Sequence, residues 1–137
     1  MENQVLVIGC TKAGLQAAQD LADVGLYVNL VESSPFIGGD QETPMPNHLK
    51  NTLLLEILKH PRIKVWTNTD IQEITQNDGQ YQVNLIQNPR YIDLSKCTAC
   101  GDCVEVCPIT VPGTDLKAIH FGGQPDCAVI EKSGISP

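Results

Sequence analysis

An α/β chain in two parts is what this sequence predicts, and three observations carry the prediction. A short apolar strand, a helix of amphipathic spacing and a second apolar strand follow one another before residue 32. A connection rich in Ser, Pro and Gly then leads into further short strands and one short helix. From Tyr91 onward Cys, Pro and Gly dominate, with only short apolar pieces between them. The boundary is placed near Asn88 to Arg90, giving a first domain over residues 1–90 and a small module over 91–137.

Val5-Leu6-Val7-Ile8 is a run of strand formers ended by Gly9. In Thr11 to Val24 the apolar residues Leu15, Ala18, Leu21 and Ala22 recur at the spacing of one helix face, and Gly25 stops the helix. Tyr27 to Val31 reads as a second buried strand. A crossover of this length makes the two strands parallel, so the expected fold is a Rossmann-like βαβ unit of the nucleotide-binding type, truncated relative to a complete domain. Glu32 to Asn47 reads as an irregular connection. Thr52 to Lys59 is a short buried helix that Pro61 ends, and Ile63 to Trp66 is a third strand. Asp70 to Thr75 and Tyr81 to Leu85 alternate apolar with polar on either side of Asn77-Asp78-Gly79, which predicts a β-hairpin.

Composition narrows the function. A hydrophobic content of 42% supports a core, and with only 4% aromatic residues that core must be built from Val, Ile, Leu and Ala. The net charge of −7 disfavours nucleic acid, because binding there depends on Lys and Arg neutralising phosphates. Met1-Glu2-Asn3-Gln4 lacks the basic residues of a secretory leader, and no run approaches the ~18 apolar residues of a membrane helix. A cytoplasmic protein without a membrane span is the expectation. Six cysteines suit three disulfides only in a small secreted chain, and four of these lie within residues 97–107, which points to metal instead.

Cys97-Thr98-Ala99-Cys100-Gly101-Asp102-Cys103-Val104-Glu105-Val106-Cys107-Pro108 has the spacing Cys-x2-Cys-x2-Cys-x3-Cys-Pro, used by bacterial ferredoxins to hold 4Fe–4S clusters. Each iron of the cube needs one thiolate, and two intervening residues let a tight loop present successive sulfurs to adjacent corners. Gly101 frees the loop to curl and turn amides toward the sulfides. The competing reading is a zinc site or a set of buried cysteines. Cys97, Cys100 and Cys103 are assigned as ligands with Cys107 as the fourth, while Cys127, in a strand expected from Cys127 to Ile130, is the alternative fourth ligand or a buried core residue. The expected module is ferredoxin-like, and a cubane moves one electron at a time.

Gly9-Cys10-Thr11-Lys12-Ala13-Gly14 sits between the first strand and first helix, where a dinucleotide fingerprint belongs, and Glu32 closes the second strand. A carboxylate there bonds ribose hydroxyls while the helix amino-terminus faces pyrophosphate. Thr11 stands where the fingerprint has its second glycine, and its branched side chain projects toward the phosphate position unless the hydroxyl donates to the phosphate. Gly9, Thr11, Gly14, Glu32, Gly38 and Gly39 form the candidate site for FAD or a related nucleotide, against a scaffold that keeps the shape without the ligand. His48, His60 and His120 lack metal spacing and read as surface or loop residues. Cys10 reads as a packed small residue rather than a reactive thiol.

Taken together, these motifs resemble the A-type subunit of heterodisulfide reductase, the flavin and iron–sulfur protein of anaerobic electron-bifurcating complexes. The resemblance runs through Val5 to Gly9, Ala13-Gly14, Leu30-Val31-Glu32, Gly38-Gly39, His60-Pro61, Tyr91-Ile92-Asp93, the cysteine run and Lys117-Ala118-Ile119. It implies an FAD-binding nucleotide fold with an inserted ferredoxin module. It also implies that the family continues beyond Pro137 and carries a cysteine-bearing segment where this chain has Pro46-Asn47-His48-Leu49-Lys50. The expected role is a redox subunit relaying electrons through one 4Fe–4S cluster within a larger oxidoreductase complex or oligomer, with no catalytic residue of its own. The alternatives are a flavin-dependent oxidoreductase whose FAD site a partner or second copy completes, and a structural adaptor with a non-redox cluster.

Overall fold

The computed structural model describes residues 3–37, 47–121 and 129–130. The chain divides into two compact units, Met1–Asn88 and Pro89–Pro137. In the first, β1 (Gln4–Ile8), α1 (Lys12–Asp23) and β2 (Tyr27–Val31) form the βαβ unit. They are followed by α2 (Asn47–Lys59), β3 (Ile63–Trp66) and the antiparallel pair β4 (Thr69–Asn77) and β5 (Gln80–Gln87).

β1 and β3 both pair parallel to β2, with Leu30 opposite Val7 on one side and Val65 on the other. Side chains alternate across a strand, so Val5, Val7, Val28, Leu30, Ile63 and Val65 share one face. α1 brings Leu15, Ala18 and Ala22 to this core and α2 brings Leu54 and Ile57, with Cys10 and Ile37 completing it. Leu30 and Ile57 are fully buried. Burying side chains of this size contributes roughly 1.5–3 kcal/mol each, so the apolar spacing of the helices and strands is what holds the unit together.

The helix boundaries follow from their end groups. Thr11 is the N-cap of α1, its hydroxyl accepting from the Gly14 amide at 3.3 Å, and the Val24 amide closes the other end on Asp20. α2 begins at Asn47, earlier than the helix expected from Thr52, because its first five residues are polar except for Leu49, a weaker apolar signal than the run from Leu53. The hairpin is also longer than expected. Asn77 joins β4 and Gln80 joins β5, leaving a two-residue turn in which Asp78 and Gly79 have φ of 50° and 79°. Two consecutive positive φ values are the type I′ geometry, whose twist matches that of paired strands.

The other face of the sheet carries Leu6, Asn29, Lys64 and Trp66. Trp66 Nε1 donates to Asn29 Oδ1 at 3.1 Å, and the Lys64 ammonium lies 3.9 Å from the indole centroid. Leu6, Asn29 and Trp66 line a groove of about 1000 Å³ whose other lining includes Ile74, Tyr81, Val83 and Leu85 of the hairpin. Ile74 and Tyr81 are exposed, so this face is less completely covered than the helical one.

In the second unit, α3 (Asp102–Val106) lies inside the cysteine run, and β6 (Ile119–His120) pairs antiparallel with β7 (Val129–Ile130). A bridge between Thr110 and Lys117, flanked by Val111 N–H to Leu116 O and Ala118 N–H to Ile109 O at 2.8 Å each, holds the chain returning from the run. Val111 and Ala118 are buried beside it. The expected strand from Cys127 is described only as Val129–Ile130. Among the described residues no helix is long and apolar enough to cross a membrane.

Candidate cluster site and nucleotide loop

The cysteine run is launched by a turn at Asp93. One carboxylate oxygen accepts from the Ser95 amide at 2.9 Å and from its hydroxyl at 2.6 Å, while the Asp93 carbonyl accepts from the Lys96 and Cys97 amides. The Ser95 hydroxyl and amide hold the Asp93 carboxyl below its ordinary value. Ala99 and Gly101 then turn left-handed, with φ of 56° and 88°, and the Gly101 carbonyl receives the Val104 and Glu105 amides to start α3. Cys103 sits in that helix and Cys107, one turn later, is its extended C-cap, with Pro108 preventing continuation.

This geometry sets out all four thiols along one loop and one helical turn. Cys100 is exposed and Cys97, Cys103 and Cys107 are half-buried, and none is in a disulfide. Cys107 Sγ lies 3.7 Å from the Ile109 carbonyl oxygen. Backbone hydrogen bonding at Ile109, then at Ile119, draws the Cys107 thiol below its ordinary value, and the Lys117 charge adds to this. Among the described residues, the amides of Thr98, Ala99, Cys100 and Gly101 donate to no acceptor. Four thiols and four unspent amides in a loop with left-handed turns fit an anionic cluster, which takes one thiolate at each corner and welcomes N–H donors at its sulfides. Among the described residues, the four cysteines included, no three or more His, Cys, Asp or Glu are gathered closely enough to hold a metal ion.

In the first unit Gly9, Thr11, Gly14 and Glu32, four of the six residues expected at a nucleotide, lie at the end of β1 and β2. Gly9, at φ of 94°, donates to the Val31 carbonyl at 2.8 Å. Gly14 must be glycine, because a Cβ there would run into the Gly9 carbonyl oxygen. The Thr11 hydroxyl is engaged as the cap of α1. Past Thr11, the amides of Lys12 and Ala13 have no acceptor among the described residues and stand at the positive end of the helix.

Glu32 is fixed more tightly than its place in the sequence discloses. Its amide donates to Trp66 and its carbonyl accepts from Thr69, while its carboxylate accepts from the Cys10 amide at 2.8 Å and the Ser34 amide at 2.9 Å. The Ser33 hydroxyl donates to it as well, at 3.4 Å, so the carboxylate ties β2 to the Gly9–Cys10 loop and to the turn that follows the strand. Cys10 is 8% exposed, and burial, followed by the Glu32 charge and hydrogen bond, pushes its thiol up to about 12. That thiol is a packed one. His60 bridges elements: its Nε2 lies 3.3 Å from Asp23, and its Nδ1 accepts from the Arg62 amide. His120 Nδ1 lies 3.0 Å from the Lys117 carbonyl. Gly38, Gly39, Cys127 and the His48 side chain lie outside the described residues.

Residues 4–87 match the family described as pyridine nucleotide-disulphide oxidoreductase, and residues 90–110 match the 4Fe-4S binding domain. Two proteins of Methanopyrus kandleri are similar to this chain. One, the A 1 iron-sulfur subunit of CoB–CoM heterodisulfide reductase, is 40% identical over 120 residues, covering 82% of this chain and 18% of that protein. The other, the A 2 iron-sulfur subunit, is 41% identical over 118 residues, covering 80% and 18%. The A-type subunit of the H(2):CoB-CoM heterodisulfide,ferredoxin reductase of Methanothermobacter marburgensis is 36% identical over 149 residues, covering 96% and 23%. The chain therefore spans less than a quarter of the length of these curated relatives. It belongs to the pyridine nucleotide-disulphide oxidoreductase family over its first unit and, through these relatives, to the family of A-type heterodisulfide reductase subunits.

Proposed function

We propose that this chain is an electron-transfer subunit that relays single electrons through one 4Fe–4S cluster held by Cys97, Cys100, Cys103 and Cys107. The observation that carries the reading is the cysteine run itself, laid over a loop whose amides from Thr98 to Gly101 are unspent. When bound, the cluster supplies reversible one-electron chemistry. The chain's part is to hold it by four thiolates, offer N–H donors to its negative charge and keep one thiol, Cys100, at the surface toward a redox partner. That partner belongs to a larger oxidoreductase complex, a reading supported by relatives named as subunits of such complexes. Clustered free thiols suit a reducing, cytoplasmic setting. Protein purified anaerobically should contain about four iron and about four sulfide per chain. Stoichiometric zinc in place of iron would remove the assignment.

A second reading is favoured by the Lys12 and Ala13 amides and by Glu32. The two amides retain donors for a pyrophosphate and Glu32 stands where a fingerprint carboxylate meets ribose hydroxyls, so FAD in this loop is the alternative, with a partner or second copy completing the site. Gly9 and Gly14 then shape the loop, and Thr11 caps the helix behind it. The isolated chain is expected to emerge from gel filtration without stoichiometric flavin, since two donors and one carboxylate enclose little of a dinucleotide. A yellow flavin spectrum that persists at one per chain after gel filtration establishes the second reading. Flavin found only in the native complex points to a shared site.

A further inference from the structure

Lys117 makes two hydrogen bonds that the proposed ligand set does not account for. Its Nζ donates to the Val104 carbonyl at 2.7 Å and to the Glu105 carbonyl at 2.8 Å. These are consecutive carbonyls near the end of α3, a helix of 5 residues that leaves most of its carbonyls without intrahelical partners. The base of the lysine is fixed too, because Lys117 is held against Thr110 in the bridge flanked by the Val111–Leu116 and Ala118–Ile109 bonds. Ordering a lysine at both ends costs rotamer entropy. Two charge-assisted bonds are of the size to offset that. No acidic side chain pairs with this ammonium among the described residues. Carbonyl dipoles hold the ammonium without cancelling its charge.

We infer that Lys117 is a positioning residue for the cluster, clamping the end of α3 between Cys103 and Cys107 and setting a fixed positive charge beside them. The inference rests on the cluster reading above. It has two physical consequences. The helical turn that separates the two thiols is kept from fraying, because its orphan carbonyls are tied to the Thr110–Lys117 bridge. A cation at fixed distance also favours the reduced form, which carries one more negative charge, and so raises the midpoint potential. Solvent screens the field, since this segment is only half-buried, but does not reverse its sign.

The test compares Lys117→Met, Lys117→Gln and Lys117→Arg with the native chain, all purified anaerobically. Three things are measured: the midpoint potential by EPR-monitored titration, the rate of iron release to a chelator, and the hydrogen exchange of the Val104 and Glu105 amides in the apoprotein. The Met and Gln variants should have a more negative potential, several-fold faster iron release and faster amide exchange, and Arg should restore the potential. A native potential in a cluster-loaded Met or Gln variant overturns the electrostatic half of the inference. Unchanged amide exchange overturns the clamp. If Met and Gln hold no cluster, the exchange data and the Arg potential still decide. A native chain that binds no iron–sulfur cluster overturns the reading on which the inference rests, while the exchange experiment separately reports the clamp.

Discussion

Cys100→Ser is expected to abolish the cluster, with iron falling from about four per chain toward zero and the broad visible absorbance disappearing with it. The reason is the number of ligands. A cube has four irons and this loop offers one thiolate to each, so a single loss leaves an iron open to solvent and exchange. Serine does not compensate, since its hydroxyl holds its proton far more tightly than a thiol and gives a harder, poorer ligand for iron. Changing even the partners of metal ligands typically costs 10–100-fold in metal affinity, and removing a ligand costs more. Cys97→Ser and Cys103→Ser should behave in the same way. Cys10→Ser should leave iron content unchanged, because Cys10 belongs to the core of the other unit. The fourth ligand is decided by Cys107→Ser against Cys127→Ser. Loss of cluster only in the Cys107 variant is the expected result, and loss only in the Cys127 variant assigns the fourth corner to Cys127. Full iron retention in the Cys100 variant would defeat the loop assignment altogether.

Much of the first unit was legible because its signals are local. The four apolar residues of β1, the helical recurrence of Leu15, Ala18, Leu21 and Ala22, and the run Tyr27 to Val31 each bury one face, and burial writes itself into spacing. Where a stretch buries little, the signal fades. The first five residues of α2 carry only Leu49 among polar residues, so its start at Asn47 was hidden in what read as a connection. α3 was hidden because cysteines, placed for ligation, occupy positions from which helical periodicity would be read.

The site was legible in its ligands and illegible in its supports. Four cysteines and a proline announce themselves by spacing, whereas Lys117 reaches its carbonyls only because the chain folds back through the Thr110–Lys117 bridge. Glu32 is the same kind of case. Sequence assigns it to a ribose by position, and its bond to the Cys10 amide depends on Ile8 and Val31 being paired so that the loop and the end of β2 lie level. Register between strands is a tertiary property. The glycine at position 14 shows the other side: its need is local, because the first turn of α1 passes directly over the Gly9 carbonyl, and a fingerprint glycine carries that need in the sequence.

Above pH 9 the chain should lose stability through Cys10. The folded thiol, pushed up to about 12 by burial and by Glu32, holds its proton where an unfolded thiol near 9.0 releases it. The folded state therefore binds more protons between these values, and linkage makes unfolding progressively easier as pH rises. The stabilisation is fully present below pH 9 and is lost across the window from 9 to 12, at a slope of at most about 1.4 kcal/mol per pH unit. Lysines and tyrosines titrate in the same range, so the measurement is a difference. Urea unfolding of the native chain and of Cys10→Ala should show a constant gap below pH 9 that changes above it, because only the native chain bears the cost of holding the buried proton. Glu32→Gln sharpens the test. It removes the negative charge facing the thiol while leaving the burial, which is the larger cause, so the window should narrow from its upper end without closing. A gap between native and Cys10→Ala that stays flat from about pH 7 to about pH 11 would show that the thiol ionises as freely in the folded chain as in the unfolded one.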